Sequence, residues 1–285
     1  MNLRIVVGIF LLLPAAYASP EVVGQADALY ERTDYTASLN VLNGDKAPDA
    51  SDYALMGKNY FMLGDYITAT RLLEEAVALA PGHSEYQLWL GRAYGRRAET
   101  GTWLKAGFNA SKARQHFEKA AALDPHNADA VNDLFEYYLN APPFLGGGVQ
   151  KAEAIARRIA AERPAESHFE LAQIAERRKQ YAEAEGQLRR AMEVAPGQVG
   201  RVLDLAGFFA RHGRIAESDT FFALAVRMAP ANPGVLFARA KTYIEQRRNP
   251  EQARNLLRQY LASSLTPNDP PRAAAEKLLR QATGG

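Results

Sequence analysis

The sequence predicts an all-α protein, a right-handed solenoid of about seven helix-turn-helix repeats. Two observations predict it. Leu171, Ala172, Ala175, Tyr181, Ala184, Leu188, Ala191 and Pro196 return thirty-four places later as Leu205, Ala206, Phe209, Ile215, Ser218, Phe222, Ala225 and Pro230. The same order stands earlier as Met56, Gly57, Tyr60, Tyr66, Ala69, Leu73, Ala76 and Pro81. A fixed period of this size marks a stacked repeat architecture. Within each unit, moreover, apolar residues recur at spacings of three and four, the period of a helix face, and turn residues close each run.

The chain opens on a segment outside this pattern. Arg4 precedes an apolar run from Ile5 to Leu13, and Ala16-Tyr17-Ala18 has the small-x-small form that signal peptidases cut. Residues 1–18 therefore read as a secretory signal cleaved after Ala18. As a membrane anchor the run is short, well under the roughly 20 residues that a spanning helix needs. The expected mature chain is exported, in a periplasm, with no membrane insertion.

Residues 19–49 form a degenerate first repeat, with Ala26, Leu29 and Tyr30 on one helix face and Tyr35, Leu39 and Leu42 on the next. Residues 50–262 carry the main solenoid. Its first unit, Ala50 to Gly82, turns at Leu63-Gly64-Asp65, where glycine accepts the positive φ of a helix end. Gly57, Ala69 and Ala76 are small where the paired helices press closest. The unit from Ser84 has ten extra residues, placing an insert at 96–111, with longer helices and a loop near Gly101 or Gly107. The next unit has a second insert at 141–148, where two prolines stop a helix and three glycines follow. The two inserts are expected on one edge of the stack. Units beginning at Ala165, Val199 and Pro233 complete it. Residues 263–285 read as a linker, Pro267 to Pro271, and an amphipathic helix, Arg272 to Gln281, that caps the open end.

Leu90-Gly91-x-x-Tyr94, followed by Ala113, Phe117, Ala120 and Pro125, resembles the tetratricopeptide repeat. The family tryptophan before the leucine is replaced by Gln87, and by Tyr53 in the unit before. The resemblance covers most of Ala26 to Tyr260. It implies a binding scaffold whose first helices line a concave face, here in an exported bacterial protein, and it implies no particular partner.

Composition narrows the function classes. Thirty-four basic and 32 acidic residues leave a net charge of +2, too balanced for nucleic acid to be the main partner. The absence of cysteine removes disulfide, thiolate and cysteine-nucleophile chemistry. None of the five histidines has metal-ligand spacing, no serine sits in a nucleophile turn, and Gly146-Gly147-Gly148 with Lys151 lacks the spacing of a phosphate loop. No enzyme, cofactor or metal is expected.

The remaining candidate is the groove. Its expected lining is Lys58 and Met62; Leu88, Arg92 and Arg96; Asn132 and Glu136; Phe169, Gln173 and Arg177; Leu203 and Arg211; Phe237 and Lys241. Lys58, Arg92, Arg96 and Asn132, with Gln173 and Arg177, are the candidate peptide-binding residues, donors suited to a carboxylate or an acidic segment. They are equally explained as a solvated helix face. The carboxylate clamp found in some family members is not reproduced, since Met62 follows Lys58 and Glu136 follows Asn132 at the clamp spacing. Trp103, Phe108 and Phe144 either present a second surface or pack the inserts onto the stack. The leading expectation is an exported scaffold for protein–protein interaction. The alternative is an accessory or catalytic subunit with its site in the 96–148 inserts, and self-association is a third reading.

Overall fold

The computed structural model describes residues 20–44 and 47–282. The expected cleavage after Ala18 lies outside them. Among the described residues there are helices and no strands. Seven helix pairs follow in order: α1 (Pro20–Glu31) with α2 (Tyr35–Leu42), α3 (Ala50–Met62) with α4 (Tyr66–Leu79), and α5 (Ser84–Thr100) with α6 (Trp103–Leu123). Then come α7 (Ala128–Asn140) with α8 (Val149–Arg158), α9 (Pro164–Arg177) with α10 (Tyr181–Val194), and α11 (Val199–Arg211) with α12 (Ile215–Met228). The last pair is α13 (Pro233–Glu245) with α14 (Pro250–Ala262), and α15 (Arg272–Ala282) follows it.

One turn recurs inside the pairs. The amide of Asp65 donates to Tyr60 O, Gln180 to Ala175 O, Arg214 to Phe209 O and Arg248 to Tyr243 O. Each closes over one residue of positive φ, which is Gly64, Lys179, Gly213 and Arg247 respectively. These 6→1 bonds satisfy carbonyls that a helix end leaves bare. Helix starts are capped where the sequence supplies a short polar side chain. Asp49 and Asp52 form a reciprocal capping box on α3, and Asp65, Asn127 and Asn232 cap α4, α7 and α13.

Close approach of paired helices explains the small residues. A Cβ on Gly57 would lie 2.6 Å from Leu73 Cγ, and one on Gly91 would lie 2.7 Å from the Phe117 ring. The apolar residues that recur face inward: Phe209 is 0% exposed, Phe222 1% and Tyr260 0%. Each pair seals against its neighbours, and the core runs as successive clusters, with one spanning Ala69 to Ile174 and another closing the end from Leu236 to Ala275. That is the packing of a helical repeat solenoid.

Both inserts take defined form. The extra residues lengthen α5 and α6, and the loop between them is Gly101-Thr102. Gly107 lies inside α6 instead of in a loop. After α7, a 3-10 turn at Pro143–Leu145 leads into α8, and Tyr137 Oη donates to Leu145 O at 2.9 Å. A Cβ on Gly147 would fall 1.8 Å from Ala141 O, so the chain can fold back here only with glycine. The inserts meet where Leu145 reaches Gly107. Their aromatic residues do not pack back onto the stack: Trp103 is 83% exposed, Phe108 62% and Phe144 85%.

Candidate functional site

The first helices α3, α5 and α7 line a groove with Trp89 at its centre. The ring of Trp89 meets Phe61 edge-on at 5.3 Å between centroids. Lys58 Nζ lies 5.6 Å from the same ring and the Arg92 guanidinium 4.9 Å from it. Tyr66 extends the aromatic wall, 5.3 Å from Phe61, with the Arg96 guanidinium 5.2 Å from its ring. Helical spacing builds this wall. Trp89, Arg92 and Arg96 succeed one another at three and four on α5, and Lys58 and Phe61 stand on the adjoining face of α3.

Two cavities flank Trp89. The first, about 880 Å³, is lined by Lys58, Glu85 and Asp129 on the repeat side and by Tyr30 and Glu31 of α1. The second, about 770 Å³, lies toward Phe61, Arg96, Tyr137 and the insert residues Pro142 and Leu145. The linker after α14 borders both. The stack therefore curves far enough to bring residues 267–271 opposite α3 and α5.

The structure divides the six candidate residues among separate places. Lys58, Arg92 and Arg96 converge around Trp89. Gln173 and Arg177 line a third cavity of about 470 Å³ between α9 and α11, beside Phe169 and Arg211. Asn132 lines none of the three and accepts from Arg163 Nη1 at 3.4 Å. Leu88, expected in the lining, borders the first cavity but is 2% exposed and packs mainly in the core.

The cations of the groove are already matched by carboxylates of the chain. Lys58 pairs with Glu85, and Arg96 pairs with Glu99. Arg92 Nε contacts Asp133 Oδ2 at 2.6 Å, and its Nη2 contacts Asp129 at 3.1 Å. Burial alone would lower the pKa of Arg92, but the hydrogen bond to Asp133 and the two carboxylate charges outweigh it and raise it. Burial pushes Asp133 up against the pull of Arg92. The 2.6 Å contact places these groups together as a partly desolvated ion pair. An acidic ligand would have to compete with these internal carboxylates.

Sequence reasoning missed Trp89. It lies one residue from the expected stripe Leu88, Arg92, Arg96. Its signal was its rarity, as one of two tryptophans, at the place before Leu90-Gly91 where the repeat frame puts Leu55, Asp133, Glu170 and Asp204. The other perturbed groups near the inserts have packing causes. Burial, aided by Lys112 and Lys119, holds the His116 imidazole down to about 4, and its Nδ1 lies 2.8 Å from Gln87 Oε1. Burial and a hydrogen bond with Glu118 push Tyr138 up to about 12.

No family model and no curated protein matches the chain. Solved structures do. A tetratricopeptide repeat protein from Parabacteroides merdae is 14% identical, with a TM-score of 0.60 over 92% of this chain and 98% of that one. A thermophilic TPR protein of Thermus thermophilus is 20% identical, with a TM-score of 0.53 over 66% of this chain and 97% of that one. At these identities the likeness speaks to fold, and it agrees with the recurring turns and helix pairs described above. The chain has the fold of the tetratricopeptide repeat proteins.

Proposed function

We propose that the protein is an exported, non-catalytic scaffold that holds a segment of a protein partner against the Trp89 wall. The observation that carries this reading is the aromatic wall between two open cavities on the inner face. Aromatic rings flanked by cations offer contact area together with polar direction, the pattern of a binding hot spot. The apolar, small-x-small segment before Ser19 supports export. No described helix is long and apolar enough to cross a membrane.

Affinity capture from the exported fraction tests the reading. Trp89→Ala, and separately Phe61→Ala, should reduce recovery of the partner at least tenfold while circular dichroism is unchanged. Capture that is indifferent to both would reject the groove. Sequencing the mature N-terminus should begin at Ser19, and an intact Met1 in a membrane fraction would reject the exported soluble chain.

The alternative of a subunit with its site in the inserts has one observation in its favour. The tip of the α5–α6 hairpin exposes Trp103, Leu104 and Phe108, and the turn after α7 exposes Phe144. If that tip holds the partner, Trp103→Ser with Phe108→Ser abolishes capture and Trp89→Ala leaves it intact.

A further inference from the structure

The two cavities beside Trp89 have three lining residues in common: Trp89, Arg92 and Pro267. Trp89 and Arg92 form the wall. Pro267 comes from the far end of the chain, and it stands across the groove and divides it. It sits at the tip of a tight turn. Asp269 N donates to Thr266 O at 3.0 Å, and Asp269 Oδ2 accepts from Thr266 N and Oγ1, both at 2.9 Å. Proline at the second position of such a turn is pre-set in φ.

The turn is held from its own side of the groove. Leu265 is buried in the C-terminal core, Tyr260 Oη donates to Pro270 O, and Arg272 Nη1 donates to Leu261 O at 2.7 Å. Among the described residues, no hydrogen bond or ion pair joins 266–271 to α3 or α5. The linker and the Trp89 wall face one another across the two cavities, so a competitor displaces no polar contact there.

Charge indicates what such a competitor carries. After Lys58, Arg92 and Arg96 are matched to their partners, Glu31, Asp124 and Glu136 remain around the cavities without a cationic partner among the described residues. The groove thus favours a neutral or basic segment over an acidic one. The resident segment supplies three prolines, Pro267, Pro270 and Pro271, but its one charge within 266–271 is Asp269, so an incoming basic segment competes with it at an electrostatic advantage. Proline-containing segments are extended at little entropic cost, and they dock into grooves walled by aromatic rings.

We propose that the Trp89 groove is a receptor for an extended, proline-containing segment that bears a basic residue, and that the chain's own 266–271 linker occupies the place in cis until such a segment displaces it. This rests on the reading of the groove as the docking face and names the chemistry of the partner. A tethered competitor acts at an effective concentration in the millimolar range. The intact protein therefore binds in trans more weakly than its groove permits.

The test uses the full chain with Trp103→Phe, which leaves Trp89 as the sole tryptophan. The probe is a dye-labelled synthetic peptide copying residues 263–273. A second protein opens the linker by Thr266→Gly, Pro267→Ser, Asn268→Gly and Asp269→Ser. Anisotropy should show the opened protein binding the peptide at least tenfold more tightly than the closed one, with Trp89 emission shifting to the red on opening. Trp89→Ala in the opened protein should abolish binding, and replacing the peptide's arginine by glutamate should weaken it. Absence of saturable binding to an opened protein of unchanged circular dichroism would overturn the proposal. Equal affinity for open and closed proteins, or binding that survives Trp89→Ala, would do the same. Partner capture that still depends on Trp89 when the peptide fails would leave the groove reading standing and remove this inference alone.

Discussion

Glu170 shows how far the repeat moves an ordinary side chain from its usual chemistry. It is 1% exposed, and neither carboxylate oxygen has a hydrogen-bond partner. Burial, joined by Glu166 and Glu136 and opposed by Arg163 and Arg158, pushes its pKa up to about 8. In the unfolded chain it titrates near 4.5. Between these values the folded state keeps a proton that the unfolded state has lost, so stability is intact below 4.5 and falls until about 8. The loss is of order 2–4 kcal/mol. Glu170→Gln should raise the melting temperature at pH 8, with little change at pH 4.5, and so flatten the wild-type decline. An unchanged pH profile would show that Glu170 is ionised in the fold. Asp204, in the same place of a later repeat, is pushed up to about 6 by burial and adds a smaller loss of the same sign. The repeat frame places these residues, but no pattern of letters says that Glu170 has no hydrogen-bond partner among the described residues or that Asp204 has Arg201 at 3.4 Å. Trp89 is the same kind of case. Its place in the frame is readable, whereas its exposure to a groove depends on which neighbour lies opposite.

Helices and their turns were the most legible level. The Arg96–Ser111 and Ala141–Gly148 inserts are read from breaks in the period, and the structure has the long helices α5 and α6 over the first and a 3-10 turn in the second. Gly57 and Gly91, in equivalent places, illustrate the reason. Each is small because a large side chain of its partner helix, Leu73 or Phe117, fills the space above it. Gly91→Ala should gain up to about 1 kcal/mol of helix propensity. It should lose about 1–3 kcal/mol through overpacking against Phe117, and so lower the melting temperature by a few degrees. A rise in melting temperature would mean that the α5–α6 pair can spread at no cost. Less legible was the fate of the insert aromatics. Trp103 and Phe144 are as apolar as core residues, and only the direction in which the α5–α6 hairpin and the turn after α7 project leaves them in water.

The whole molecule behaves as a line of pairs, each packed on its neighbours. Its core clusters succeed one another from Ala26 to Ala275. In such a line, separate segments unfold with their own midpoints when the interfaces between them differ in strength. With Trp89 as the sole tryptophan, its fluorescence should report an unfolding midpoint in urea that does not coincide with the helical signal in circular dichroism. Coincident transitions would show a single cooperative unit. The curvature of the line also returns the linker to the groove near its start, which sets Pro267 against a residue 178 positions away in the chain.

From its letters alone this protein was an all-helical stack, because helix period and close packing act between residues near in sequence or one repeat apart. The folded chain alone decided that Lys58 and Arg92 are already paired, that Trp89 forms the wall, and that the linker stands before it. The pairings and the wall depend on which side chains of adjacent first helices meet, and the place of the linker depends on accumulated curvature over seven pairs. A small rotation at each interface sums across the stack, and no single repeat encodes where the far end arrives.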